Sequence, residues 1–379
     1  MIYLTYNDQP SGVYFSQVTD VCKYVNATFS CGIRLVAFIS IRGFAENKKK
    51  IKQQFPKAIV LPMFPKQKNW RLNKITLRLL FEFIGKQSIW SRGIFATNMA
   101  LDLRQKGIVK KVVFDGRGAY EAEYREYLDK IVANNEPVAE LEKRAILESD
   151  HRLAVSQKLV DYWKKNYGYS ELRHSVIPCT ISHSGKHAFP SEAEITKIRA
   201  TLGYEQDDLV FVYSGSAADW QSLQLVDDFM LLQMQNNSRI RLILLANTDV
   251  KTLSVYKAFP DKVVQKWLKP SEVQNYLYAA DQGILLREYA VTNEVASPTK
   301  FAEYLDASLQ IVISESIGDF TALTEKTGCG TVIKNTAAAY NFGKLAYAGK
   351  LKNHALAQTL FTKDAYADEY GKIVAVLKS

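Results

Sequence analysis

No run in this chain of 379 residues approaches the ~18 consecutive apolar residues of a membrane-spanning helix. The opening Met1-Ile2-Tyr3-Leu4-Thr5-Tyr6 is not the basic, then apolar, leader of a secreted protein. Both absences predict a cytoplasmic protein, with the inner face of the membrane left open as a place of work. Cysteine is scarce: Cys22, Cys31, Cys179 and Cys329 form no C-x-x-C pair and no zinc spacing, so they read as isolated thiols without structural disulfides. No Asp-x-Asp occurs, which removes the carboxylate pair that commonly holds a divalent cation on a nucleoside diphosphate. His183 and His187 have helical spacing, but Gly185 lies between them and no nearby carboxylate completes a metal set. The expectation is chemistry without a metal or a resident cofactor. The formal charge of +10 attracts polyanions, anionic lipid or phosphorylated ligands. No RRM, KH, zinc-finger or helix-turn-helix pattern accompanies it, so nucleic acid is not the expected partner.

With 47% apolar and 23% charged residues and no low-complexity run, the chain reads as globular, and its length favours two domains. Short apolar runs alternate with amphipathic ones: Ile33–Ile39, Ala58–Leu61 and Lys111–Asp115, then again Leu209–Tyr213, Ile240–Leu245, Gly283–Leu286 and Ile311–Ile313. Continuous apolar strands are buried on both faces, which means parallel sheets covered by helices. The restart after mid-chain predicts two doubly wound α/β domains, 1–180 and 181–355, joined through the polar stretch Pro178–Pro190, with a helical tail over 356–379. Between Lys66 and Lys86, Lys66, Lys68, Arg71, Lys74 and Arg78 surround Trp70, Leu72, Ile75, Leu77, Leu79, Leu80, Phe81 and Phe83. Two readings stay open: a basic helix lying on an anionic membrane, or a surface helix packed on its own domain.

Ligands of open α/β sheets bind at the carboxyl ends of strands. The loop Asn293–Leu305 carries a helix start, with Ser297 as N-cap and Pro298 at the first helical position. Lys300 then falls in the first turn, where the helix dipole disfavours a cation. A bound phosphate would satisfy the free N–H groups, the dipole and Lys300 together. Glu303, one turn on, suits a ribose diol; a solvated surface helix is the alternative.

Ser297–Leu305 (Ser-Pro-Thr-Lys-Phe-Ala-Glu-Tyr-Leu), followed by Leu309–Ile313, resembles the nucleotide-sugar signature of family-four retaining glycosyltransferases. The resemblance extends to Lys269–Arg287, Tyr213–Ser216, Trp220-Gln221, Asp115–Gly118, Ala154–Ser156 and Val176–Pro178, and so spans most of the chain. It implies a GT-B architecture: two Rossmann-like doubly wound parallel-sheet domains facing a cleft, the first binding acceptor, the second a UDP- or GDP-linked sugar. The tail would cross back onto the first domain. The implied reaction is retaining transfer to a glycan or lipid-linked acceptor, with surface-polysaccharide synthesis as the setting. By the same resemblance Ser297, Thr299 and Lys300 hold the diphosphate and Glu303 the ribose. Lys266, Trp267 and Leu268 lie near the base, Gly215 and Ser216 face the phosphates or sugar, and Gly12 lets backbone approach the donor or acceptor.

The sequence departs from the family at two points. Many members carry two glutamates with seven residues between them; counting back from Glu303 gives Val295, so the sugar contact would fall to Glu294, one residue off, with Asn293 or Glu288 as the alternatives. Gly215–Trp220 also lacks the usual cation, leaving Lys300, Lys266 or Arg287 for the phosphates, Arg287 being equally readable as a structural partner. Asp115 and Arg117 follow a strand and read either as acceptor-side groups or as a turn with an internal ion pair. A nucleotide-sugar epimerase and a non-catalytic sugar-nucleotide binder of the same fold are the rival functions; product analysis separates the first and turnover the second.

Overall fold

The computed structural model describes residues 1–64, 66, 69–128, 137–182, 189–215, 219–268 and 270–379. The chain divides into two units: unit 1 is Met1–Gly185, Val295–Ser297 and Thr362–Ser379, and unit 2 is Lys186–Glu294 and Pro298–Phe361. The histidine pair, with Lys68 and Ser216, lies outside the described residues.

Unit 1 is built on seven strands: β1 (Ile2–Tyr6), β2 (Arg34–Ile39), β3 (Ile59–Pro62), β4 (Gln87–Arg92), β5 (Val109–Gly116), β6 (His151–Ala154) and β7 (His174–Val176). They pair in the order β3-β2-β1-β4-β5-β6-β7, all parallel. Every residue of β1 and all but the first of β2 are buried, as strands covered on both faces require. The helix Ala367–Lys378 completes this core, placing Tyr370, Ile373, Val374 and Leu377 beside Tyr24, Trp90 and Val113. The Tyr370 ring lies 5.4 Å from Tyr24 and 6.2 Å from Trp90. Four such side chains at roughly 1.5–3 kcal/mol each make the tail a structural member of unit 1.

Unit 2 contains β8 (Leu209–Ser214), β9 (Ile240–Leu245), β10 (Val263–Lys266), β11 (Gln282–Leu285), β12 (Gln310–Ser314) and β13 (Gly330–Ile333), paired in parallel in the order β10-β9-β8-β11-β12-β13. Phe211, Phe229, Met230, Leu242, Leu244, Ile284 and Val312 form its core. In both sheets the strand order reverses once, between β1 and β4 and between β8 and β11. A crevice opens outside the carboxyl ends of strands at such a reversal, so each topology nominates one pair of loops.

Candidate functional site

At the reversal in unit 2, β8 ends at Ser214 and the chain turns at Gly215, whose N–H donates to the Leu245 carbonyl at 3.3 Å. A Cβ on Gly215 would stand 2.8 Å from the buried Tyr213 Oη, so a larger residue there would have to push that ring aside. Beside it lies the helix Thr299–Asp306. Tyr304 fastens the two together: fully buried, its Oη accepts the Ser214 N–H at 2.8 Å, and its ring covers Gly283 so closely that a Cβ there would meet Cδ2 at 2.5 Å. Helix periodicity then sets Lys300 and Glu303 on the adjoining surface. Their side chains pair, Nζ to Oε2 at 2.6 Å, with 27% and 36% exposure. The expected phosphate cation and the expected ribose carboxylate thus neutralise one another.

The helix start differs from the expectation. Thr299 is the first helical residue, Pro298 is the cap, and the Ser297 side chain does not cap. Its Oγ instead accepts the Cys179 N–H at 2.8 Å, a tertiary partner that outcompetes the local one. One residue earlier the buried Val295 uses its carbonyl to accept Ser156 Oγ–H at 2.7 Å. Glu294 closes the short helix Val291–Glu294 and is half-buried.

Arg287, beyond the end of β11, is 8% exposed, with Nη1 donating to Asn293 Oδ1 at 3.1 Å and Nη2 to Gln221 Oε1 at 3.4 Å. Asn293 is fixed in turn through Nδ2 to the Glu288 carbonyl at 2.9 Å. Arg287 is thus held by the side-chain amides of Asn293 and Gln221. Lys266 ends β10, on the far edge of the sheet; Lys266 and Trp267 are exposed, the latter at 67%, and Leu268 is half-buried.

At the reversal in unit 1, Arg92 at the end of β4 lies between two carboxylates, Asp8 beyond β1 (Nε to Oδ1, 3.6 Å) and Asp115 in β5 (Nη1 to Oδ2, 3.6 Å). Tyr3 also donates its Oη–H to Asp115, and Arg117 approaches Asp115 Oδ1 at 3.4 Å while reaching Gln17 Oε1 at 3.3 Å and Cys179 Sγ at 3.1 Å. Burial pulls the Arg92 guanidinium down, but Asp8 and Asp115 more than reverse this and hold it well above its ordinary value. Burial, and after it the negative Asp115, drives the Tyr3 phenol up. Asp115 is 1% exposed and spends its carboxylate on these three partners, so Asp115 and Arg117 form an internal pair. Gly12, itself exposed, opens the short helix Gly12–Tyr14, capped by Ser11; a Cβ there would meet nothing within 4 Å. Asp8, Arg92 and Gln17 went unnoticed in the sequence. The signal was Arg92-Gly93 after a strand, concealed because Gln87, Ser88 and Ser91 make β4 too polar to read as one. Among the described residues, no group of His, Cys, Asp and Glu is placed to hold a metal ion.

No protein-family model matches the chain, and no curated protein does. Solved structures match it over its whole length. A sucrose-phosphate synthase from Thermosynechococcus elongatus is 14% identical, with TM-score 0.68 over 100% of this chain and 98% of the other. The Anabaena protein HepE, in complex with UDP and glucose, is 12% identical with TM-score 0.71 over 99% of each chain. WaaG, a glycosyltransferase involved in lipopolysaccharide biosynthesis, is 12% identical with TM-score 0.63 over 100% of this chain and 95% of that one. Identities this low speak for architecture, and the architecture is the GT-B fold of glycosyltransferases: two Rossmann-like parallel-sheet domains in a single chain.

Proposed function

We propose that the protein is a glycosyltransferase that takes a sugar from a nucleoside-diphosphate donor, UDP-linked before GDP-linked, and passes it to a glycan or lipid-linked acceptor. The observation that carries the reading is the helix Thr299–Asp306, pinned at the sheet reversal with Lys300 and Glu303 on its accessible side. The UDP and glucose bound by HepE support the choice of donor. In this reading the diphosphate displaces Glu303 from Lys300. The cation then meets the phosphates together with the N–H groups of the first helical turn and Thr299, and the freed carboxylate accepts the ribose hydroxyls. The exposed ion pair that is given up is worth at most about 1 kcal/mol, less than charge-assisted contacts to phosphate return. Ser297 backs the turn, Gly215 leaves room for phosphate or sugar, and Lys266, Trp267 and Leu268 flank the base. Glu294 takes the sugar in place of the displaced first glutamate.

Transfer proceeds with retention and without a metal. Lys300 and the helix N-terminus stabilise the leaving diphosphate where its charge develops, and the acceptor hydroxyl attacks on the leaving-group face. Gly12 and the Arg92 cluster, with Asp115 and Arg117 behind it, shape the acceptor side of unit 1. Thermal stabilisation by UDP, GDP, ADP and their sugars, with and without EDTA, tests this on the wild type and on Lys300→Ala. The expected result is stabilisation by one base, unchanged by EDTA and about 10- to 100-fold weaker in binding for the variant, from the loss of a charge-assisted contact. No shift with any nucleotide would overturn the reading.

A further inference from the structure

Five strongly exposed large apolar side chains of this protein crowd into one stretch of unit 1: Phe64 at 70%, Leu72 at 50%, Ile75 at 54%, Leu79 at 50% and Phe83 at 88%. The last four recur every three or four residues along the helix Trp70–Ile84, so they form a single stripe. The opposite face is firmly seated. Trp70, Asn73, Leu77 and Phe81 are buried, Lys74 pairs with Asp102 at 2.5 Å, and Asn73 Nδ2 donates to Tyr6 Oη at 3.1 Å. Asn73 Oδ1 also accepts the Phe64 N–H at 2.8 Å, which ties Phe64 to the same helix. The stripe is therefore a fixed face of a well-packed helix.

Between positions 64 and 86 the sequence carries Lys66, Lys68, Arg71, Lys74, Arg78 and Lys86 against a single acid, Glu82; with Lys74 spent on Asp102 and Arg78 3.7 Å from Glu82, the stretch still keeps an excess of positive charge. A second copy of the chain laid face to face would bring these cations together, and a nucleic acid has no use for the apolar stripe. An anionic bilayer complements both features, apolar side chains entering the headgroup boundary and cations meeting the lipid phosphates. No helix among the described residues is long and apolar enough to cross a membrane, so such a contact would lie in the interface.

We propose that the Leu72, Ile75, Leu79 and Phe83 face of this helix docks unit 1 on an anionic lipid surface. The inference deepens the reading above, because it selects the lipid-linked acceptor, but vesicle binding itself does not depend on that reading. The test is co-sedimentation of the full chain with phosphatidylcholine vesicles and with vesicles that also contain phosphatidylglycerol, at low and high salt, for the wild type, Leu79→Glu/Phe83→Glu and Arg78→Glu/Lys86→Glu. The wild type is expected to bind only the anionic vesicles and to be released by salt. The first double variant should bind at least about tenfold more weakly from lost apolar insertion. The second should lose about fivefold for each cation removed from the surface, and more for the reversal. Equal binding by all three proteins, absence of binding to anionic vesicles, or a wild-type dimer that these substitutions dissociate would overturn the proposal. Nucleotide-dependent thermal stabilisation of the same variants should match the wild type. Its absence from all three proteins, with vesicle binding intact, would refute the donor reading and leave the docking surface standing.

Discussion

Glu142 lies at 0% exposure in the helix Val138–Glu148, where Oε1 accepts the Tyr120 N–H at 3.0 Å and Oε2 accepts the Glu121 N–H at 2.8 Å and the Tyr167 hydroxyl at 2.9 Å. Two effects compete at this carboxyl. Three donors favour the charged form, and complete burial disfavours it; burial wins and pushes the group up to about 7. The native state therefore holds a proton that the unfolded chain releases between pH 4.5 and about 7. Its contribution to stability is present at the acid end of that window and is lost as the pH rises through it. The displacement corresponds to about 3 kcal/mol. Glu142→Gln cannot titrate and replaces one acceptor with an amide, so near pH 5 it should be less stable than the wild type by about 1–2 kcal/mol. By pH 8 this deficit should disappear or reverse. Urea unfolding followed by tryptophan fluorescence reports mainly on the correct unit, because Trp70, Trp90 and Trp163 are buried in unit 1 whereas unit 2 holds only the half-buried Trp220 and the exposed Trp267. His151 supplies a counter-experiment. Burial holds it down at about 4, so it withdraws stability as the pH falls from 6.5, and His151→Asn should unmask the Glu142 trend. Parallel stability profiles for the wild type and Glu142→Gln between pH 5 and 8 would refute the reasoning and mean that the three donors prevail over burial.

Gly283→Ala would force the Tyr304 ring off its seat and break the bond from Ser214 N–H; a loss of about 1–3 kcal/mol in unit 2 stability is expected, with weaker nucleotide binding in the same thermal assay. Unchanged nucleotide affinity would show that the tie between helix and turn is dispensable. Lys363, 2% exposed with Nζ donating to Thr180 Oγ1 at 3.2 Å and the Ile181 carbonyl at 3.0 Å, is held down at about 8 by burial. Relative to Lys363→Met, the wild type should gain about 2–3 kcal/mol between pH 8 and 10.5, and lose it on return, as measured by urea unfolding.

The sequence made some of this legible and hid the rest for identifiable reasons. β8, β9 and β12 are nearly continuous apolar runs, and each was readable to within a residue at either end. β4 carries Gln87, Ser88, Ser91 and Arg92, β7 has three residues, and β13 is a half-exposed edge, so none has the periodicity that marks a strand. Lys300 and Glu303 were readable because a local signature carries them. The Arg92 cluster was not, because Asp8, Arg92 and Asp115 are brought together only by the strand order. Ser297 looked like a cap because capping is a local rule, and its actual partner, Cys179, is far away in sequence.

The seam in unit 1 bears on how the protein is made. Its core is sealed by Thr362–Ser379, a segment translated after the whole of unit 2. Domains usually fold in the order of their synthesis. Here the earlier domain must wait, with Trp90 and Tyr24 lacking their cover, while the later one can finish first. Nascent chains of this protein should therefore spend the longest time with apolar surface exposed in their oldest part, where a ribosome-bound chaperone would be needed most.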